Sequence, residues 1–339
     1  MRLIFFSPNF LPMIGGLENI VADVAASLSE MGVRVTVVTS TPNNDGATDD
    51  FPFKVMRRAP LIAVVREARI ADFFVQFNPS LMGVPAWLLS GRPLVIVHQS
   101  MTGRGLRERL KRLLANHLSI LNIGCSRYIA DHYRRPMPIL NAYDETLFSN
   151  EKTWAGRPAD LVFVGRLVSE KGCDTLLNAL FMLKKSGKTL TLGIVGDGPE
   201  APALRVQARG LGIEGQIVFY GSRRRADLNS ILNEHKIMVV PSLYREPFGI
   251  VALEGLAAGC AVIVSHDGGL REAVGMCGLA FPNGDAPALA RTIEQVFADG
   301  AARDARLVKA PQHLLGHARR AVAGQYLAAF ERLARSQRP

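Results

Sequence analysis

The feature that most constrains this chain is an alternation, repeated twice, of short apolar β-type runs with helical segments. In the first half, Leu3 to Ser7 reads as a strand, Leu17 to Met31 as an amphipathic helix and Arg34 to Thr39 as a second strand. Gly32 stands where a helix C-terminal glycine is expected. Further strands are predicted at Phe73 to Phe77, Leu94 to His98 and Leu121 to Cys125, and the polar Pro42 to Pro52 stretch reads as a loop. A second series starts after Trp154-Ala155-Gly156-Arg157-Pro158. It predicts strands at Leu161 to Gly165, Thr189 to Val195, Ile217 to Tyr220, Ile237 to Pro241 and Ala261 to Val264. Helices are predicted at Cys173 to Ser186 and Pro202 to Leu211. Strands separated by helices cannot pair as hairpins, so they form a parallel sheet covered on both faces. The expected fold is therefore α/β, with two Rossmann-like, doubly wound parallel-sheet domains facing a cleft. The predicted domains are 1–150, 151–318 and a C-terminal helix, 319–339, packing back towards the first.

Composition narrows the class. With 48% hydrophobic and 21% charged residues over 339 positions, the chain can bury two cores. Met1 to Phe6 is too short for the apolar segment of a secretory signal and suits a buried first strand. The apolar stretch Phe248 to Val264 is broken by Glu254, short of the ~20 residues that a spanning helix needs. Cys125, Cys173, Cys260 and Cys277 have neither metal-site spacing nor a disulfide pattern and read as reduced core thiols. A cytoplasmic protein is expected on these grounds. The net charge of +10 draws attention to Arg104, Arg107, Arg109, Lys111 and Arg112, interleaved with Leu106, Leu110, Leu113 and Leu114. On a helix this makes an apolar stripe beside a basic face. The stripe either faces the core or lies on an anionic membrane surface. Nucleic acid is not expected, because the basic residues lack interleaved aromatics or a binding motif.

Four turns carry the candidate chemistry. Gly15-Gly16 precedes the first long helix, where free amides can meet a phosphate. Gly165-Arg166 and Lys171-Gly172 bracket the turn after the first strand of the second series. Two cations before a helix are unfavourable for its dipole unless an anion, such as a diphosphate, lies between them. Gly196 follows another strand and permits close approach of a ligand. The most specific segment is Glu246-Pro247-Phe248-Gly249-Ile250-Val251-Ala252-Leu253-Glu254. Pro247 keeps Glu246 extended, while the amides of Phe248, Gly249 and Ile250 head a helix over 250–258. Glu246 is placed to accept sugar hydroxyls and Glu254 the hydroxyl pair of a ribose, since each carboxylate oxygen offers two lone-pair sites.

Over essentially its whole length the chain resembles the family 4 retaining glycosyltransferases of the GT-B fold. Glu246 to Glu254 is similar to that family's E-x7-E element, Gly165-Arg166 with Lys171-Gly172 to its G-R-x4-K-G element, and Gly15-Gly16 to its glycine pair. Leu140-Asn141-Ala142-Tyr143-Asp144 resembles its N-G-V-D stretch, with Ala142 in place of the usual glycine. Ile96-Val97-His98 resembles the strand end that brings a histidine to the donor sugar.

The resemblance implies a hexosyl transfer from a nucleotide-sugar donor, while the basic first domain and the cytosolic character suggest a glycan or lipid-linked glycan acceptor on the cytoplasmic side of a membrane. Arg166 and Lys171 would neutralise the leaving diphosphate without a metal or other cofactor, consistent with the lack of a D-x-D element. His98 would meet a donor hydroxyl and is a candidate general base, and Ser222-Arg223 would lie against the nucleobase. Retention of configuration without an obvious carboxylate nucleophile points to front-face attack. Three alternatives are a nucleotide-sugar 2-epimerase of the same architecture, a non-catalytic nucleotide-sugar-binding protein and a nicotinamide oxidoreductase. The last lacks its G-x-G-x-x-G turn and the acidic residue expected where Thr39-Ser40 stands.

Overall fold

The computed structural model describes residues 1–13, 15–43, 50–101, 103, 105–223 and 225–336, without the side chains of Leu114 and Arg225. Arg104 and most of the predicted 42–52 loop therefore lie outside the described residues. Contacts divide the chain into two compact units, Met1–Ala142 with Arg319–Pro339, and Tyr143–Ala318.

Among the described residues, the first unit holds seven strands. They are β1 (Arg2–Phe6), β2 (Arg34–Thr39), β3 (Lys54–Arg57), β4 (Phe73–Phe77), β5 (Leu94–His98), β6 (Ser119–Gly124) and β7 (Pro136–Pro138). All pair in parallel, in the order β3-β2-β1-β4-β5-β6-β7. β4 and β5 are buried throughout, as continuous apolar runs in a parallel sheet require. The helix Arg319–Ser336 belongs here because it buries an aromatic face. Phe330 stacks on Phe73 of β4 at 5.7 Å between ring centroids, and Tyr326, one helical turn earlier, is buried with its ring 6.4 Å from that of Phe330.

The second unit has six strands among its described residues. They are β8 (Ala159–Val164), β9 (Leu192–Val195), β10 (Ile217–Gly221), β11 (His235–Val240), β12 (Ala261–Ser265) and β13 (Leu279–Phe281). The order β10-β9-β8-β11-β12-β13 is again parallel. Leu161, Phe163, Ile194, Ile237, Val239 and Ile263 from the sheet join Leu176, Leu177, Leu180 and Ile293 from the helices in one core. In both units strand order reverses direction once, between β1 and β4 and between β8 and β11. Loops leaving the carboxyl ends of two such strands splay apart and open a crevice, the usual ligand position in open α/β sheets.

Arg157 anchors the start of the second unit. Its guanidinium is buried and donates to the carbonyls of Leu232, His235 and Ala258 at 3.0, 2.8 and 2.6 Å, and to Asn150 Oδ1 at 2.7 Å. It thus satisfies carbonyls left over at the C-terminal ends of two helices, where a cation also suits the helix dipole.

Candidate functional site

The crevice of the second unit is flanked by the loops after β8 and β11, and these carry the two most specific sequence elements. After β8 the chain turns through Gly165, Arg166 and Leu167 into a short helical turn, Ser169–Lys171, closed by Gly172. Gly172 has φ +67°, and a Cβ there would collide with the carbonyl of Pro241 at the end of β11. Glycine therefore lets this turn lie directly on the other loop, and Leu243 N bonds Glu170 O at 2.9 Å across the contact. The result is an ion pair 75 residues apart in sequence: Lys171 Nζ sits 2.6 Å from Glu246 Oε1.

Glu246 is held from three sides. Ser242 Oγ donates to Oε1 beside Lys171, and Tyr244 donates from its hydroxyl to Oε2 at 3.2 Å. Lys171 Nζ also lies 5.4 Å from the centre of the Tyr244 ring, so the tyrosine touches both members of the pair. Burial, and then the charge of Glu246, push the Tyr244 hydroxyl up, keeping it protonated as a donor. The Glu246 backbone is fixed by Gly269 N at 2.7 Å, in a bridge with Gly268.

The cations therefore differ from the sequence expectation of two equivalent charges waiting for an anion. Lys171 has a partner in Glu246, whereas Arg166 is exposed and has no ion pair among the described residues. Arg166, Gly196, Ser222 and Arg223 do come together. With Gly165, Val195 and Asp197 they line one open cavity of about 180 Å³ at the carboxyl ends of β8, β9 and β10. Gly196 has φ +138° and lies against the Gly165 carbonyl, leaving no room for a side chain.

Phe248 is buried, with its ring 5.8 Å from that of His317. Gly249, at φ +120°, precedes the helix Ile250–Ala257 without a side-chain cap, so its leading amides remain available to an anion. Glu254 lies one turn in. Burial, and then the charge of Asp144, push its carboxyl up to about 7, and no hydrogen bond among the described residues opposes this.

Two of the expected residues in the first unit have surroundings that bear on their roles. His98 is fully buried at the end of β5, with its ring stacked 3.5 Å from that of Tyr133 and Nε2 2.8 Å from Asn122 Oδ1. Asn122 Nδ2 is committed to the carbonyls of Ala115 and Arg134, so its oxygen faces the ring and His98 Nε2 carries the proton. Burial lowers the imidazole to about 4, which makes it a poor base near neutrality. Gly15 has an extended backbone, and Gly16 begins the helix Gly16–Glu30 with open space where a Cβ would stand. The Glu18 carboxylate from the first turn already lies against Gly15 and is buried, supplying negative charge where a phosphate was expected.

On the basic helix Leu106–Leu118, the described leucines Leu106, Leu110 and Leu113 are exposed at 85, 43 and 55%, beside exposed Arg107 and Arg109 and half-buried Lys111 and Arg112, so these three do not enter the core. Sequence reasoning missed Ser242 and Tyr244. Both stand within four residues of Glu246 in the loop after β11, so their hydroxyls were close to it in sequence.

Comparison with known proteins shows the family. The family model described as glycosyl transferases group 1 matches residues 144–313. A glycogen synthase of Mycobacterium tuberculosis is 38% identical over 159 residues, 46% of this chain and 38% of that protein. The lipopolysaccharide core biosynthesis glycosyltransferase LpsE of Rhizobium meliloti is 33% identical over 178 residues, half of each chain. The chain thus matches half or less of the length of these curated relatives. Among solved structures, HepE of Anabaena in complex with UDP superposes with a TM-score of 0.83 at 21% identity, over 98% of this chain and all of that one. The matched segment contains the Arg166, Lys171 and Glu246–Glu254 elements, and with it the chain belongs to the group 1 family of glycosyl transferases.

Proposed function

We propose that this chain is a retaining hexosyltransferase that takes its sugar from a nucleotide diphosphate donor bound at the second unit. The observation carrying the proposal is the meeting of Lys171 with Glu246, in the same β8 loop whose Arg166 lines an open cavity. The cavity suits a nucleotide, with Ser222 and Arg223 on its rim for the base. Glu254 is the acceptor for ribose hydroxyls. Support for the donor class comes from HepE, solved with UDP and glucose.

In this reading Arg166 and Lys171, with the amides of Phe248, Gly249 and Ile250, supply positive charge around the bound diphosphate where it leaves. Once the donor is bound they stabilise the transition state electrostatically, the task a divalent metal performs elsewhere. Glu246 orients sugar hydroxyls. With His98 buried, the acceptor proton goes to a departing phosphate oxygen, as front-face attack requires.

The acceptor is a glycan or lipid-linked glycan, approached on the cytoplasmic face of a membrane. Support for a membrane is the exposed leucine and arginine surface of the helix Leu106–Leu118. Among the described residues no helix is long and apolar enough to cross one. The test is release of nucleoside diphosphate from UDP-glucose, UDP-galactose, UDP-N-acetylglucosamine and GDP-mannose in EDTA. Release from one donor, reduced roughly 100-fold by Arg166→Ala or Lys171→Ala, is expected. A strict metal requirement, or full release by both variants, contradicts it.

A further inference from the structure

We propose that Lys171 is exchanged between Glu246 and the donor's diphosphate, so that Glu246 is uncovered for the sugar only when a diphosphate is bound. The inference rests on the donor-site reading above and adds an order of events to it. A carboxylate has about four acceptor positions, two on each oxygen. On Glu246, Oε1 is occupied by both Lys171 and Ser242, and Oε2 already receives Tyr244. One position remains, too few for a pair of sugar hydroxyls. Withdrawal of Lys171 opens a second position, on the other oxygen.

Lys171 has reason to move when a diphosphate arrives. Its side chain and that of Glu246 keep only 22 and 9% of their surface exposed, so the ammonium needs a counter-charge in either position. A diphosphate beside Arg166 carries more negative charge than one carboxylate. Glu246 is not set adrift by the exchange, because Ser242 and Tyr244 keep their bonds to it and Gly269 holds its backbone. Lys171 retains the face of the Tyr244 ring as a pivot. Tyr244 is thus a positioning residue for both partners.

The exchange makes Glu246 a competitor of the diphosphate for Lys171, which gives the test an unusual sign. UDP, GDP and ADP are titrated by calorimetry against wild type, Glu246→Gln, Lys171→Met and the double variant, each first checked for an unchanged melting curve. The tightest of the three nucleotides is the probe. Glu246→Gln is expected to bind it roughly fivefold more tightly, the effect of releasing a weak ion pair. The same substitution in the Lys171→Met background is expected to change nothing. A gain that persists without Lys171 is a field effect of the lost carboxylate and overturns the exchange while leaving the donor site standing. Loss of affinity in Glu246→Gln overturns it as well. No binding by wild type, or no effect of Lys171→Met, instead refutes the donor-site reading.

Discussion

Glu254 combines a proposed ligand role with a cost to folding, and the two can be separated by replacing it with glutamine. Its carboxyl is pushed up to about 7 by burial and then by Asp144. The folded chain therefore holds this proton more tightly than the unfolded one. Stability contributed by the group is complete at acid pH, falls as pH rises from the ordinary carboxylate range to about 7, and is level above that. Each tenfold change in proton affinity is worth about 1.4 kcal/mol. Because the side chain keeps partial solvent access, we expect the ionised carboxylate to cost about 1–3 kcal/mol. Glu254→Gln removes that cost, so the variant should match wild type near pH 5 and exceed it at pH 8. In a unit of this size the gain is about 2–4 °C in Tm for each kcal/mol. At pH 8 the same variant should lose at least about tenfold in nucleotide affinity, since hydrogen bonds from ribose to a charged acceptor become bonds to a neutral one. Thermal melts at both pH values, with and without nucleotide, measure both effects. Equal stabilisation at pH 5 and pH 8, or a variant less stable at pH 8, refutes the electrostatic reasoning. Unchanged nucleotide affinity refutes the ribose role.

Three further outcomes follow from other parts of the structure. Gly196→Ala forces a side chain into the Gly165 carbonyl at φ +138°, and should cost about 3 kcal/mol or more in urea unfolding and abolish nucleotide-induced stabilisation. Arg157→Met leaves the Leu232, His235 and Ala258 carbonyls without their donor, and should lower unfolding stability by about 3 kcal/mol or more at neutral pH. Replacing Leu106, Leu110 and Leu113 together by serine should leave the melting temperature nearly unchanged, because all three are exposed, while reducing co-sedimentation with anionic vesicles at low salt. Equal sedimentation of the variant and wild type removes the support for a membrane surface.

The strands that sequence located most closely, β2, β4 and β5, are buried apolar runs bounded by turn formers, so local composition carries their position. β3, β7 and β13 were not anticipated. Each is three or four residues long at a sheet edge, and β7 contains two prolines, which an edge tolerates but a strand pattern does not announce. In the candidate site, the E-x7-E segment and the paired Gly165-Arg166 and Lys171-Gly172 elements were legible because each lies within one turn of chain. The Lys171–Glu246 contact was not, since it depends on β8 and β11 becoming neighbours and on Gly172 having no side chain. His98 illustrates the opposite case. A histidine at a strand end reads as reachable, but Tyr133 and Asn122, brought in by later segments, enclose it.

The central claim is that a nucleoside diphosphate binds between Arg166 and the amides that open the Ile250–Ala257 helix, without a metal. The most direct measurement is a calorimetric titration of the wild-type chain with UDP, GDP and ADP in EDTA, repeated with Arg166→Ala. The account predicts saturable binding of one nucleotide, weakened at least about tenfold by the substitution, as expected for losing a charge-assisted hydrogen bond. Binding that requires a divalent ion, or that Arg166→Ala leaves intact, would contradict it.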